Sequence, residues 1–327
     1  ALGKIAPNLA KTLDGMSINV NGTPVVSLPI AVCLFFMMYP IMVKIDFEKV
    51  VRAGRSGKPV FLTLFINWCV KPFTMYAIAL VFLGFLFRGF IGAEAVDLVK
   101  MPFGLDLPVG SVHGAGTVVL ADGIKMLEIP LWRSYFAGCI LLGIAPCTAM
   151  VFVWIHLTKG NPAYTVVQVA TNNLILMVAF TPIVALLLGL SGVVIPWDTL
   201  FLSVVLFVVI PLGGGVLTRR QIILRRGEDY FRHTFVEKFN HVTTIGLLLT
   251  LIIIFSFQGD VIVQNPLHVL LIAIPLTLQT FLIFFVAYIG ARILKLDHTI
   301  AAPAGMIGAS NFFELAVAVA ITLFGAT

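Results

Sequence analysis

Leu141-Leu142-Gly143-Ile144-Ala145-Pro146-Cys147-Thr148-Ala149-Met150-Val151-Phe152-Val153-Trp154 sits inside one long apolar run, 132–158, and sets the architecture of the whole chain. The run is long enough to cross a ~30 Å hydrocarbon core, which takes about 20 helical residues. Pro146 interrupts it, because proline inside a helix removes a hydrogen bond and clashes with the preceding turn. Broken backbone at membrane depth is tolerated only where protein buries it or where it lines a cavity. A second apolar run, 299–325, carries the same mark. It holds Ala301-Ala302-Pro303-Ala304-Gly305, then Gly308-Ala309-Ser310-Asn311-Phe312-Phe313-Glu314, small and polar residues at an expected mid-membrane depth. Interrupted helices at corresponding positions of two halves are the best sequence pointer to a transporter site. The plainer reading is that Pro146 only kinks a helix and that Gly305 and Gly308 only allow close packing. Both breaks carry polar chemistry, which favours a substrate site.

On either side of these runs the chain offers six more spans, near 25–43, 60–88, 164–190, 198–218, 241–257 and 266–293. Composition agrees: 60% of the 327 residues are hydrophobic and 11% charged, against about 25% charged in soluble domains. Mean hydropathy is +1.06. The spans must be helices, since an open strand cannot satisfy its backbone in lipid, and no alternating barrel pattern is present. The fold class is therefore all-α, a polytopic membrane helix bundle. The rhythm of spans 25–43, 60–88 and 132–158 returns in 241–257, 266–293 and 299–325. The two broken spans lie five apart, an odd offset, so the repeats run in opposite senses. Residues 1–190 are expected to form one inverted repeat and 191–327 the other.

Loop charge orients the bundle. Residues 44–59, 219–240, 291–298 and Lys159 hold fourteen Lys/Arg, against six on the opposite side. Basic loops stay cytoplasmic, so loops 44–59 and 219–240 are expected inside. The net charge of +6 thus points to membrane topology, and no nucleic-acid partner is expected. Residues 91–131, rich in Gly, read as an exposed extracytoplasmic loop with room for a small hairpin. The basic, aromatic segment 219–240 has two readings, a plain cytoplasmic loop or a helix lying on anionic lipid.

Two ionisable residues fall inside spans, Lys71 and Glu314. A charge at bilayer depth costs at least about 2.5–3.5 kcal/mol, so each needs a reason. Glu314 reads as a proton-carrying carboxyl on a transport path, with a purely structural ion pair as the alternative. Lys71 is open between a cavity role and snorkelling of its stem toward an interface. Cys147 follows the break directly. A freed helix N-terminus favours a thiolate there, and thiolates are ligands for soft elements. Cys33, Cys69 and Cys139 read as small hydrophobes; no CxxC pair, zinc site or disulfide framework is expected. Gln168, Thr171 and Asn172 share a helix face, with Asn173 beside them; this stripe either lines a cavity or glues helices together. No GxSxG, HExxH, Walker or dinucleotide motif is present, so no enzyme and no cofactor are expected.

The run Leu141–Trp154 resembles the signature of the Acr3 arsenite permeases, and Ile307–Ala316 resembles a second motif of that family. Asn67-Trp68 with Lys71-Pro72, and Met38-Tyr39-Pro40 with Asp46-Phe47-Glu48-Lys49, fit as well. The likeness covers roughly 25–90 and 131–325. It implies membership of the bile-acid/sodium symporter-like superfamily. Its fold has an inverted 5+5 repeat with panel and core domains and two crossed discontinuous helices. It implies export of arsenite, sometimes antimonite, across the plasma (inner) membrane by proton antiport. The family's functional cysteine falls on Cys147 and its glutamate on Glu314. Pro146, Thr148, Ser310 and Asn311 then join the expected substrate site, and Asn67 with Lys71 the expected cavity lining. Three departures stand out. The family's first helix corresponds at most to Ala1–Ile5 and its tenth would follow Thr327, the insertion 91–131 is long, and Asn173 stands where many members carry Asp. Two rival functions remain at this level: a sodium-coupled organic-anion symporter, and a membrane sensor or scaffold that binds metalloid without moving it.

Overall fold

The computed structural model describes residues 17–20, 23–43, 57–92, 94–100, 107–121, 124–147, 151–193 and 197–324. Ten helices carry the architecture among them: α1 (Leu28–Val43), α2 (Gly57–Leu86), α3 (Leu131–Ile144), α4 (Val151–Leu157), α5 (Pro162–Leu190), α6 (Leu200–Tyr230), α7 (Val236–Gln264), α8 (Pro266–Ile293), α9 (His298–Ala309) and α10 (Phe313–Phe324). They coincide with the eight expected spans once α3/α4 and α9/α10 are taken as halves of one span each. The protein is an all-α polytopic membrane protein. Five of these stretches, among the described residues, are long and apolar enough to cross a bilayer alone.

Local chemistry explains the helix ends and irregularities. Pro162 opens α5, and the Asn161 side chain accepts from the Tyr164 amide at 3.1 Å, an N-cap. At 29 residues the helix reaches about 43 Å, enough to span with tilt. Pro72 has no N–H for the normal helical bond. The backbone responds with a π turn at Ile66–Val70, where the Lys71 N–H reaches the Ile66 carbonyl. Pro211 follows a π turn at Val205–Val209 in the same way.

The helices form two packed groups. Helix α1 packs on α6 and α7, tied by a 2.6 Å hydrogen bond between Tyr39 and Thr218. Helix α8 packs on α9, α2 and α3. Its buried residues Leu271, Pro275, Gln279, Ile283, Ala287 and Ala291 recur every fourth position, one ridge along the helix. Its other faces present Phe281, Phe285 and Ile289 outward, an apolar surface that lipid covers. The broken pair α9/α10 is the most enclosed of the five spanning stretches. Gly305 and Gly308 allow the close approach to α8: a Cβ there would stand 3.0 Å from the Phe284 ring and 3.1 Å from Ile283.

The connections add to the sequence reading. Residues 91–131 are more than a loop. They hold a four-stranded antiparallel sheet, in the order β3 (Val96–Lys100), β6 (Ile124–Pro130), β5 (Gly116–Ala121), β4 (Val112–His113). Its small core is Val99, Val118, Leu127 and Ile129. The alternation of buried and exposed residues in β5 is the period-2 signal of a strand, too short in each segment to stand out beside the spans. The sheet rests on the end of α5, where the Ala115 amide donates to the Gly192 carbonyl at 2.8 Å. A further hairpin, β1 (Ser17–Val20) and β2 (Thr23–Ser27), precedes α1. The segment 219–240 is helical rather than a plain loop. Helix α6 continues to Tyr230 with a break at Gly227 (φ 82°), and a π turn, Phe231–Phe235, leads into α7. Most of loop 44–59 lies outside the described residues.

Candidate functional site

Two extended segments meet where the broken spans cross. Helix α3 stops at Ile144, and Ala145 turns extended (φ −89°, ψ 129°), the conformation that a following proline imposes. Helix α9 stops at Ala309, and Ser310 is extended too (φ −76°, ψ 142°). The segments run side by side and exchange backbone bonds. The Phe312 amide donates to the Ala145 carbonyl at 2.9 Å, and the Cys147 amide donates to the Ser310 carbonyl at 3.4 Å. The Ser310 hydroxyl accepts from the same Cys147 amide at 3.2 Å and donates back to the Ile307 carbonyl at 2.8 Å. Thus Cys147 and Ser310, 163 positions apart, are held in one contact.

The interruption of the second span falls at Ser310–Phe312, within the polar stretch Gly308–Glu314, and Pro303 lies inside α9. Pro303 still frees the Thr299 carbonyl, four residues earlier. The Asn161 amide, at the turn into α5, donates to that carbonyl at 2.8 Å. A backbone defect in one span therefore becomes a tie to another.

Around the crossing the polar residues divide. Cys147 is 6% exposed and Glu314 5% exposed, the latter in the first turn of α10, where the helix dipole favours a negative group. Pro146 is buried between Ala145 and Cys147. Thr148 lies outside the described residues. Asn311 has a buried side-chain oxygen with no hydrogen-bond partner among the described residues. Lys71 does not snorkel. It is fully buried, its ammonium donates to the Ser310 carbonyl, and it lies within electrostatic reach of Cys147.

The α5 stripe serves mainly to join helices. The Asn172 side-chain oxygen accepts from Asn67 at 3.2 Å and from the Trp68 indole at 3.0 Å. Gln168 belongs to a separate cluster with Tyr164, Thr63 and the Pro59 carbonyl. Thr171 bonds back to the Val167 carbonyl, and Asn173 donates to the Met42 sulfur at 3.7 Å. Asn67, Gln168, Asn172 and Asn173 each keep one buried polar atom without a partner among the described residues. Such atoms are costly when left unpaired.

One residue escaped the sequence reading. Gln279 on α8 donates to the Lys71 carbonyl at 3.2 Å and to the Gly143 carbonyl at 3.3 Å. The second acceptor is a carbonyl released by the early end of α3. A lone amide one turn past Pro275, inside a 28-residue apolar helix, was the available signal.

A family profile described as "Sodium Bile acid symporter family" matches residues 31–265. The chain is 52% identical to the arsenical-resistance protein Acr3 of Alkaliphilus metalliredigens over 325 residues, 99% of this chain and 80% of that protein. An uncharacterized transporter of Synechocystis sp. is 45% identical, over 99% of this chain and 76% of its own length. The Acr3 protein of Corynebacterium glutamicum is 29% identical, over 100% of this chain and 77% of its own length.

Proposed function

The chain belongs to the sodium bile acid symporter family, alongside Acr3 proteins, and on that premise we propose that this transporter exports arsenite, and antimonite as a heavier analogue, from the cytoplasm in exchange for protons. One observation carries the reading: the Cys147 amide is bound to Ser310 of the opposite broken span, with Glu314 at the start of the next helix. A soft sulfur ligand and an ionisable carboxyl thus border one crossing at membrane depth. Two relatives bear the name arsenical-resistance protein. The reciprocal bonds Cys147 to Ser310 and Phe312 to Ala145 support a division into inverted repeats, 1–190 and 191–327. Exchange of the two segments turns one bond into the other.

In this mechanism neutral arsenous acid enters from the cytoplasm. The Cys147 thiol attacks arsenic; a sulfur–arsenic bond forms, one arsenic–oxygen bond breaks, and the hydroxyl leaves as water with the thiol proton. Hydrolysis reverses the step on the outer side. Ser310 and Asn311 offer hydrogen bonds to the remaining hydroxyls. Glu314 yields a proton to the cytoplasm when substrate loads and takes one from outside when it leaves. Coupling requires the inward and outward states to bind substrate and proton differently. The residues at the crossing do not suit a sodium ion, because the Lys71 amine already holds the Ser310 carbonyl. The basic residues of 219–226 favour a cytoplasmic position for the end of α6 in the inner membrane.

Arsenite flux into inverted proteoliposomes tests the proposal. Flux driven by an inward-acidic proton gradient is expected, lost in Cys147→Ala, and separated from the gradient in Glu314→Gln. Binding without flux would point to a sensor, and full flux in Cys147→Ala would remove the thiol from the pathway.

A further inference from the structure

A broken helix leaves the carbonyls of its last turn without partners, and its C-terminal end carries partial negative charge. Both α3 and α9 end at the crossing, so two such ends converge in a low-dielectric interior. Transporters commonly neutralise ends of this kind with a coupling cation held by unwound carbonyls. Here two side chains already do so, one for each break. Gln279, from α8, caps the Gly143 carbonyl at the end of α3. Lys71, from α2, caps the Ser310 carbonyl at the end of α9. Both donors lie on proline-containing helices: Lys71 directly precedes Pro72, and Gln279 lies one turn after Pro275. Each helix caps the break in the other half. One half uses an amide and the other a lysine amine.

Uncommitted amide oxygens belong to residues next to the two capped breaks. Asn67 lies one turn earlier on the same helix face, Asn311 follows Ser310 directly, and Gln279 bonds the Lys71 carbonyl. Each of these three keeps a buried oxygen with no hydrogen-bond partner among the described residues. A carbonyl and several uncommitted amide oxygens are the hard donor set that suits an alkali or alkaline-earth cation. A tethered ammonium fills the same electrostatic role and leaves no room for a second cation on Ser310.

We propose that Lys71 is the resident cation of the crossing, a covalently attached substitute for sodium that lets the transporter work without that ion. The part concerning transport rests on the function proposed above; the part concerning cation binding does not. Lys71 acts here as a positioning residue, holding the Ser310 segment against Cys147.

Thermal unfolding of the purified protein in sodium chloride and in choline chloride, at equal ionic strength, tests the binding part without arsenite. The wild-type midpoint should be the same in both salts. Lys71→Ala, which vacates the site, should gain a sodium-specific rise of roughly 2–4 °C at saturating salt, and Lys71→Arg should not. A sodium-specific rise in the wild type overturns the proposal, as does a folded Lys71→Ala protein indifferent to sodium. Should Lys71→Ala not fold, the wild type decides: equal midpoints in the two salts support the proposal. Wild-type flux that requires sodium would also overturn it, whereas absence of any arsenite flux would strike only the function above.

Discussion

Cys147 shows how much of a residue's meaning depends on what it touches. As a small, buried, thiol-bearing side chain it is ordinary. Its amide, however, is tied to Ser310, and the break beside it leaves the sulfur at the meeting of two spans. Arsenite should therefore protect Cys147 from a thiol reagent, with labelling read by mass spectrometry on wild-type protein; Cys139, fully buried against α3's neighbours, should label in neither condition. Equal labelling of Cys147 with and without arsenite would remove sulfur from the site. Asn172 illustrates the opposite case, a polar residue whose work is structural. Its one oxygen accepts from both Asn67 and Trp68, so Asn172→Leu leaves two buried donors without an acceptor. A loss of about 1–3 kcal/mol is expected, seen as a lower unfolding midpoint with the thiol chemistry of Cys147 unchanged.

Among the helices, the α8–α9 contact is the most demanding. Gly305 and Gly308 let the two backbones approach, and any Cβ at Gly308 would stand 3.1 Å from Ile283 and 3.5 Å from Asn67. Gly308→Val should push α9 away from α8, with a cost of about 1–3 kcal/mol from overpacking. Because Ser310 is two residues further on, the shift should also reach the crossing. Flux should fall more in Gly308→Val than in Gly138→Val, since nothing lies within 4 Å of a Cβ at Gly138. Equal effects of the two substitutions would separate α9 packing from the site. Pro303 belongs to this contact as well, for the carbonyl it frees is taken by Asn161.

For the molecule as a whole, two packed groups and a capping sheet suggest how alternating access is arranged. Helix α1 packs on α6 and α7, and α8 packs on α9, α2 and α3; under the proposed function, a relative movement of these two groups would expose the crossing to each side in turn. Topology is testable directly. On a background without the four native cysteines, a single cysteine at the exposed Arg225 should react with an impermeant reagent only from the cytoplasmic side. One at the exposed Val112, in the sheet, should react only from outside. Reaction of both from the same side would contradict the orientation read from loop charge.

The apolar runs, the membrane class and the place of the first break were legible in the chain, because each follows from local rules. Hydrophobic length selects a span, proline removes a backbone donor, and the residue before proline turns extended, as Ala145 does. The second break, at Ser310–Phe312, falls within the small and polar stretch Gly308–Glu314. Proline is tolerated inside α9 once a distant amide, that of Asn161, takes the orphaned carbonyl. Long-range pairing of this kind has no local trace. It joins Cys147 to Ser310, turns Lys71 inward onto a carbonyl, sets Gln279 over the end of α3 and assembles four short strands into a sheet. Backbone propensity acts over a few residues and so can be read along a chain. The partner of a buried polar group is chosen by packing across the bundle, where the cost of leaving it unpaired is greatest.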